Sequence, residues 1–257
     1  MTLRFSTGFR DGINEVATPK QLFAGGKLLI YSGSQPADAD AAVTGTLLHT
    51  FTASGGAHTA EVPSSGTVTL TGGGSGSVDT LTVNSIEIMG SATAFDTSLP
   101  ITATNIATKI NNNPKNLLFV ASASGAVVTI TAKPGLGTLP NTWVVASTVT
   151  TITKTDVNMA GGVNSANGLL FGDSAAGALS KLSTQTWSGT TAVTGTAGWF
   201  RLVGAKADAG AIDSTGAYVR IDGSIATSGA DMNWSNTALT ASAVQTLDEF
   251  ILTYPAS

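Results

Sequence analysis

The chain of 257 residues carries no cysteine, a formal net charge of −4 and only 11% charged residues. This composition excludes disulfide bonds and thiolate zinc sites, and its scattered Lys and Arg residues argue against a nucleic-acid surface. No stretch approaches the roughly 20 apolar residues of a membrane span, and the first 15 residues lack a signal-peptide core. So low a fraction of charged residues favours a protein whose surface is buried against other protein chains, although it also suits an extracellular β-sandwich.

An N-terminal arm, residues 1–23, carries scattered apolar residues that fit neither helix nor strand periodicity. They are too numerous for a solvated tail, so the sequence predicts an extended arm that lies on another surface. That surface is either the chain's own core or a neighbouring subunit. In the second case, Phe5 and Phe9 are candidate interface residues.

Short strands with intervening loops follow the arm and return in the last third of the chain. The strands at 27–31 (KLLIY) and 46–52 (TLLHTFT) flank a loop rich in Pro, Asp and Gly. Further strands are predicted at 186–188, 198–203, 218–222, 231–234 and 244–253. This spacing is typical of a β-sandwich or small barrel.

The middle of the chain has a different pattern. Residues 101–112 place Ala103, Ile106, Ala107 and Ile110 at helical spacing, which predicts an amphipathic helix. Strands are predicted before it at 67–71 and around 81–88, and after it at 117–122, 126–132 and within 141–153. The Gly-rich run at 72–77 is interpreted as a flexible linker, and together with AGG at 160–162 it is expected to flank this middle unit.

These patterns predict a mainly β protein with an insertion. Residues 1–65 and 163–257 are each too few to form an independent hydrophobic core, but together they have the size of an ordinary domain. The sequence therefore predicts one β-sandwich or small barrel from these two segments. Residues 66–162 form an inserted α+β unit within it.

Four segments in order resemble a family of structural proteins from tailed bacteriophages and prophages. They are GGKLLIYSGSQPADADAAVTGTLL (25–48), GTAGWFRLVG (195–204), RIDGSIATSGADMNWSN (220–236) and LDEFILTYP (247–255). The resemblance covers residues 20–50 and 165–257, and it implies a virion component without catalytic activity. The middle unit is absent from shorter family members and resembles modules inserted in tail-sheath and flagellin-type proteins.

Residues that could carry chemistry do not form a constellation in the sequence. His49 and His58 have no Cys or HxH partner, and TGGGSGS lacks the GK[ST] ending of a phosphate loop. The acidic pairs, Asp38 with Asp40 and Asp248 with Glu249, are sequence neighbours rather than carboxylates facing across a cleft. The sequence therefore predicts no enzyme, no metal and no cofactor.

Asp222 and the four tryptophans each allow both a structural and a ligand-binding interpretation. Asp222 is expected to set a turn with Gly223, although a calcium site with Asp38, Asp40 or Asp231 stays open. The four tryptophans at 143, 187, 199 and 234 suit either a sugar-stacking platform or cores and interfaces.

The run AGWFRL supplies the remaining interface candidates. Consecutive strand residues face opposite sides, so Phe200 is assigned to the core and Trp199 to the other face, beside Arg201. There we expect a cation–π contact and an interface with another chain, formed by Trp199 and Arg201.

The expected function is structural. The chain is interpreted as a head decoration or cement protein, expected to be a trimer, made in the host cytoplasm and carried in the virion. Its partners are copies of itself and other virion proteins such as the major capsid protein, with no nucleic acid and no membrane. The alternatives are a tail, neck or fibre-base component, a glycan-binding adhesion module using the middle unit, and, last, an enzyme such as a depolymerase.

Overall fold

The computed structural model describes residues 3–15, 17–175 and 177–253. Strand accounts for 42% of the chain and helix for 11%, in several antiparallel sheets, so the fold is mainly β and sandwich-like, as predicted. The chain divides into two compact units. Unit 1 comprises Met1–Glu61 and Ser165–Ser257, and unit 2 comprises Val62–Asn164. The sequence pattern predicts the division close by, at residues 65/66 and 162/163.

The secondary structure elements follow one another along the chain. In order, they are β1 (Arg4–Phe5), α1 (Thr7–Glu15), α2 (Pro19–Phe23), β2 (Lys27–Ser32), β3 (Leu47–Ala53), β4 (Ser65–Gly72), β5 (Ser77–Val83), β6 (Ile86–Glu87), β7 (Thr93–Ala94), α3 (Leu99–Asn112), β8 (Phe119–Ser124), β9 (Val127–Ala132), β10 (Val145–Thr150), β11 (Thr153–Ala160), β12 (Ala178–Ser180), β13 (Trp187–Thr190), β14 (Gly195–Val203), β15 (Arg220–Ala226), β16 (Met232–Asn233), β17 (Ala238–Leu239), β18 (Val244–Leu247) and β19 (Ile251–Thr253).

The main sheet of unit 1 has the strand order β1-β15-β14-β2-β3-β13-β18. β17 pairs with the start of β14, β16 runs parallel to β15, and β12 and β19 form a separate ladder. One face of the main sheet is apolar and packs with the helices and the small ladder into a core rich in aromatic residues, including Phe9, Phe23, Phe51, Phe171, Trp187, Phe200 and Phe250. Burial of this apolar area is the main stabilising contribution to unit 1.

The N-terminal arm is helical rather than extended, which corrects the prediction. α2 begins with a capping box, in which Thr18 and Gln21 satisfy each other's backbone N–H groups, and Pro19 occupies its first turn. Phe9 on α1 and Phe23 on α2 are 1% and 0% exposed, with ring centroids 5.2 Å apart. The arm therefore folds over the core of its own unit.

Unit 2 has a core of its own between two sheets and a helix. One sheet has the order β10-β5-β6, with β7 beside β5, and the other has the order β11-β4-β9-β8. Residues 73–76 of the Gly-rich run form the turn between β4 and β5 inside unit 2, so the expectation that this run flanks the inserted unit is wrong. β8 and β9 form a hairpin, as predicted, but its turn is Gly125–Ala126, one residue later than the predicted Ser124–Gly125, because Ser124 pairs with Val127. Gly125 has φ +55°.

Helix α3 confirms the amphipathic pattern. It extends two residues further toward the N-terminus than predicted, because the Ser98 side chain accepts from the backbone N–H of Ile101 and caps it. Ala103, Ile106 and Ile110 are 0% exposed and face the core of unit 2.

Candidate functional site

Two neighbouring residues of β14 point to opposite faces of the main sheet. Phe200 is 2% exposed and joins the apolar core of unit 1, as the strand alternation predicts. Trp199 lies on the other face, in a small buried cluster with Tyr31. This second face also carries Arg201, so the structure brings together two of the four proposed interface residues.

The indole of Trp199 is covered by the chain itself. It stacks on the ring of Tyr31 with centroids 4.5 Å apart, and the Arg201 guanidinium lies 5.5 Å from its centroid. The expected cation–π contact is therefore present. Trp199 and Arg201 are both 0% exposed, which corrects their assignment to an interface with another chain. Strand alternation separates the two faces of a sheet, but it cannot reveal that the chain's own loops cover the second one.

Arg201 forms a fully buried ion pair with Asp222. The Nε and Nη2 atoms of Arg201 each donate to one Asp222 oxygen at 2.7 Å, and both side chains are 0% exposed. Asp222 lies within β15, directly opposite Arg201, so the expected turn with Gly223 is wrong. Burial raises the pKa of the Asp222 carboxyl because it penalises the charged form, while Arg201 acts to lower it.

A second buried pair, Arg220 with Asp208, ties the covering loops to the sheet. Two Arg220 nitrogens donate to the Asp208 oxygens at 2.6 Å each. The same guanidinium donates to the backbone carbonyls of Ala39 at 3.3 Å and Ala211 at 3.0 Å. Because a buried charge is costly unless it is paired and hydrogen-bonded, this network favours one arrangement of the loops after β2 and β14.

Two further carboxylates hold these loops through backbone N–H groups. Asp40 accepts from the backbone N–H of Thr7 at 2.9–3.0 Å and from its hydroxyl at 2.7 Å, at the start of α1. Burial acts to raise the pKa of Asp213, but hydrogen bonds from the backbone N–H groups of Ala217 and Tyr218 lower it below the ordinary value. The loop carboxylates therefore act as structural acceptors.

The other two interface candidates lie on the opposite face of the sheet. The rings of Phe5 and Phe9 are 5.4 Å apart, and Phe5 packs partly buried against the core of unit 1. The structure thus separates Phe5 and Phe9 from Trp199 and Arg201. Because Phe9 is 1% exposed, its assignment to an interface with another chain is also corrected.

The histidines make separate, ordinary contacts. His49 Nδ1 lies 3.2 Å from the Thr191 hydroxyl, and burial lowers the pKa of His49 to about 4. His58 Nε2 donates to the carbonyl of Gly25 at 2.9 Å, and burial lowers its pKa as well. Within residues 3–15, 17–175 and 177–253, no group of three or more His, Asp or Glu side chains is placed to hold a metal ion. Over the same residues, every helix is too short or too polar to cross a membrane.

Sequence reasoning missed the roles of Asp208, Arg220 and Asp222, although a signal was present. Arg201, Arg220 and Asp222 each stand inside otherwise apolar strand sequences, WFRLV and YVRIDG. A charged residue at such a position is almost never fully buried without a partner. This pattern could have predicted internal ion pairs between neighbouring strands, but not the loop residue Asp208, which is distant in sequence.

The outward face of one sheet in unit 2 carries no charged side chain. We call it the threonine face. It consists of alternate residues of β4, β8, β9 and β11, namely Thr67, Thr69, Thr71, Val120, Ser122, Ser124, Val127, Thr129, Thr131, Thr153, Thr155 and Val157. None of these side chains is charged, and Val120 and Val157 are 46% and 53% exposed.

Comparison of the chain with protein-family models, curated proteins and solved structures finds no match.

Proposed function

We propose that the chain is a structural protein of a tailed-phage virion, and within it a decoration or cement protein of the head. The threonine face is the observation that carries this proposal. A sheet face without charges loses less hydration free energy when another protein surface covers it than a charged face does. Its methyl groups supply apolar area, and its hydroxyls supply hydrogen bonds.

The size of the threonine face favours a repeated contact rather than a single strong one. Four strands about 4.8 Å apart and six residues long span about 400 Å². This area is half of the roughly 800 Å² that one partner contributes to a standard interface. One copy would therefore bind weakly, and many symmetric copies on a shell would convert the weak contact into a durable one.

Two features of the sequence support the same proposal. Charged residues make up only 11% of the chain, against about a quarter in ordinary soluble domains. The four segments that resemble tailed-phage structural proteins include the strands that carry the buried ion pairs of unit 1. A component of the tail, neck or fibre base would use the same kind of surface, and its copy number per particle would distinguish it from a head protein.

A charge placed at the centre of the threonine face tests the proposal. Thr129 pairs with Thr67 on one side and Ser122 on the other, so Thr129→Lys puts an ammonium group in the middle of the face. We expect this variant to co-sediment less with particles assembled without the protein, while its melting temperature changes little. Thr104→Lys on the exposed side of α3 is the matched control and should bind as the unaltered chain does. Equal binding by all three proteins would contradict the proposed role of this face.

A further inference from the structure

A polar pocket opens beside β18, the edge strand of the main sheet in unit 1. Its volume of about 260 Å³ lies below the roughly 300–1,000 Å³ of pockets that enclose drug-sized ligands. The pocket therefore has room for one small ring. None of the residues that line it is charged, and those that matter here are Phe51, Asn233, Trp234, Asn236, Gln245 and Thr246.

The aromatic wall of the pocket is held in place. Trp234 is half-buried, and its ring meets that of Phe51 edge-on, with centroids 6.0 Å apart at 89°. The backbone N–H of Trp234 donates to the carbonyl of Ala226 at 2.9 Å, next to the pairing of Ala226 with Asn233. A fixed, partly exposed indole presents an apolar face to a ligand at a small entropic cost.

The amide groups around this indole are oriented but not saturated. The Oδ1 atoms of Asn233 and Asn236 accept from the backbone N–H groups of Ala230 and Ala238 at 3.1 and 2.9 Å. Their NH₂ groups make no hydrogen bond within the described residues. The side chain of Gln245 likewise makes none there, and it lies on the same face of β18 as Leu247, which also lines the pocket. Each free amide offers donors or acceptors to a ligand.

We propose that this pocket binds one ring of a neutral saccharide. The indole of Trp234 would contact the C–H face of the ring, and the amides of Asn233, Asn236 and Gln245 would exchange hydrogen bonds with its hydroxyls. A phosphorylated or sulfated ligand would require cationic side chains, and a calcium ion would require carboxylates. This inference is independent of the threonine face and of the proposed virion role, because it concerns only unit 1.

Titration of the full chain with the methyl glycosides of neutral hexoses and N-acetylhexosamines tests the proposal. Saturation-transfer NMR and tryptophan fluorescence should detect at least one ligand with a Kd of about 1–10 mM, as expected for a single small ring. Gln245→Ala removes a side chain that makes no hydrogen bond within the described chain, so the fold should persist while affinity falls several-fold. Trp234→Ala should lower affinity about tenfold or more.

Thr190→Ala, on the exposed surface of the adjacent β13, is the control and should bind as the unaltered chain does. Melting temperatures show whether each variant is folded. If Trp234→Ala is unfolded, the affinity of Gln245→Ala alone tests the proposal. The proposal is wrong if no neutral glycoside binds, if Gln245→Ala binds as well as the control, or if only charged glycans or extended peptides occupy the pocket.

Discussion

Arg201 and Asp222 show what a buried charge requires from its neighbours. Their bidentate pair satisfies the carboxylate and two of the guanidinium nitrogens, but Nη1 of Arg201 is buried without a partner. Desolvation of two charges consumes most of their mutual attraction, so the pair adds little net stability. Removal of one partner is different, because it leaves the other charge buried and uncompensated.

Asp222→Asn should therefore destabilise unit 1 by about 3–5 kcal/mol. The measurement is the free energy of unfolding from urea denaturation at neutral pH. Asp173→Asn is the matched control, because Asp173 is fully exposed in its pair with Lys20 and its loss should change stability little. A change below about 1 kcal/mol for Asp222→Asn would show that Arg201 is not buried as described.

His49 makes stability depend on pH. Its pKa falls from 6.5 to about 4 in the folded chain because burial disfavours the imidazolium. At pH values between about 4 and 6.5, His49 is protonated in the unfolded chain and neutral in the folded chain. Acidification from pH 7 to 4 should thus remove about 3 kcal/mol of stability through this residue, and the loss should reverse as pH rises.

Comparison with His49→Gln isolates this contribution. Urea denaturation at several pH values should give a shallower decline for the variant between pH 6.5 and 4 than for the unaltered chain. Parallel stability curves across that range would mean that His49 titrates normally in the folded state.

At the scale of elements, the free edge of β8 is closed by side chains instead of another strand. Asn111 on α3 accepts from the backbone N–H of Ala121 at 2.8 Å and donates to its carbonyl at 2.9 Å. Asn116 makes the same two contacts with Phe119, at 3.2 and 2.9 Å. An unprotected strand edge is a template for pairing with another chain, so these amides protect unit 2 from edge-to-edge association.

Asn111→Ala should cost about 1–3 kcal/mol, because it leaves a partly buried backbone N–H and carbonyl without partners. Thermal unfolding measures this cost, and light scattering during the melt reports association through the exposed edge. Asn105→Ala on the same helix, which loses a single contact to Asp96 at 3.1 Å, is the control and should be nearly neutral. If the two variants behave alike, the edge of β8 does not depend on Asn111.

The elements that the sequence predicts well are those with local signals. The apolar stripe of α3 and the hairpin of β8 and β9 are determined by residues close in sequence, and the structure confirms both, with the turn at Gly125–Ala126. Helix α2 also had a local signal, the Thr18–Gln21 capping box, which scattered apolar residues obscured. Helix α1 had a local signal too, because the Ser6 hydroxyl accepts from the backbone N–H of Phe9 at 3.1 Å, whereas its contact with Asp40, 33 positions away, could not be found by local reasoning.

For the whole molecule, the position of unit 2 in the chain explains how it can be an insertion. Thr59 and Ala166 exchange backbone hydrogen bonds at 3.1 and 3.0 Å within unit 1. Val62 and Val163 do the same within unit 2, at 3.0 and 2.8 Å. In each unit, the segment that leads into residues 62–164 and the segment that leads out of them are therefore hydrogen-bonded neighbours. Chain ends that lie close together are the geometry that tolerates insertion or removal of a domain.

Replacement of residues 62–164 by a short Gly-Ser bridge should leave unit 1 folded, since its apolar core lies within that unit. The fragment 62–164 should fold alone for the same reason. Circular dichroism and NMR dispersion of both proteins are the measurements. An unfolded deletion variant would show that unit 1 depends on unit 2.

The candidate sites were harder to predict than the fold because they depend on side chains brought together from distant segments. Alternation placed Trp199 and Phe200 on opposite faces, but the cover over Trp199 comes from loops after β2 and β14. The threonine face arises from the registers of four strands, and the pocket at Trp234 joins three separate segments. Neither the threonine face nor the pocket is contained in a single stretch of sequence.

The proposed structural role in a virion can be tested by quantitative mass spectrometry of particles purified from a lysate of cells that carry the gene for this chain. A decoration protein of the head should be present at a copy number comparable to that of the major capsid protein. A few copies per particle would instead place it in the tail, neck or fibre base. Its absence from purified particles, with the protein present in the lysate, would contradict a structural role in the virion.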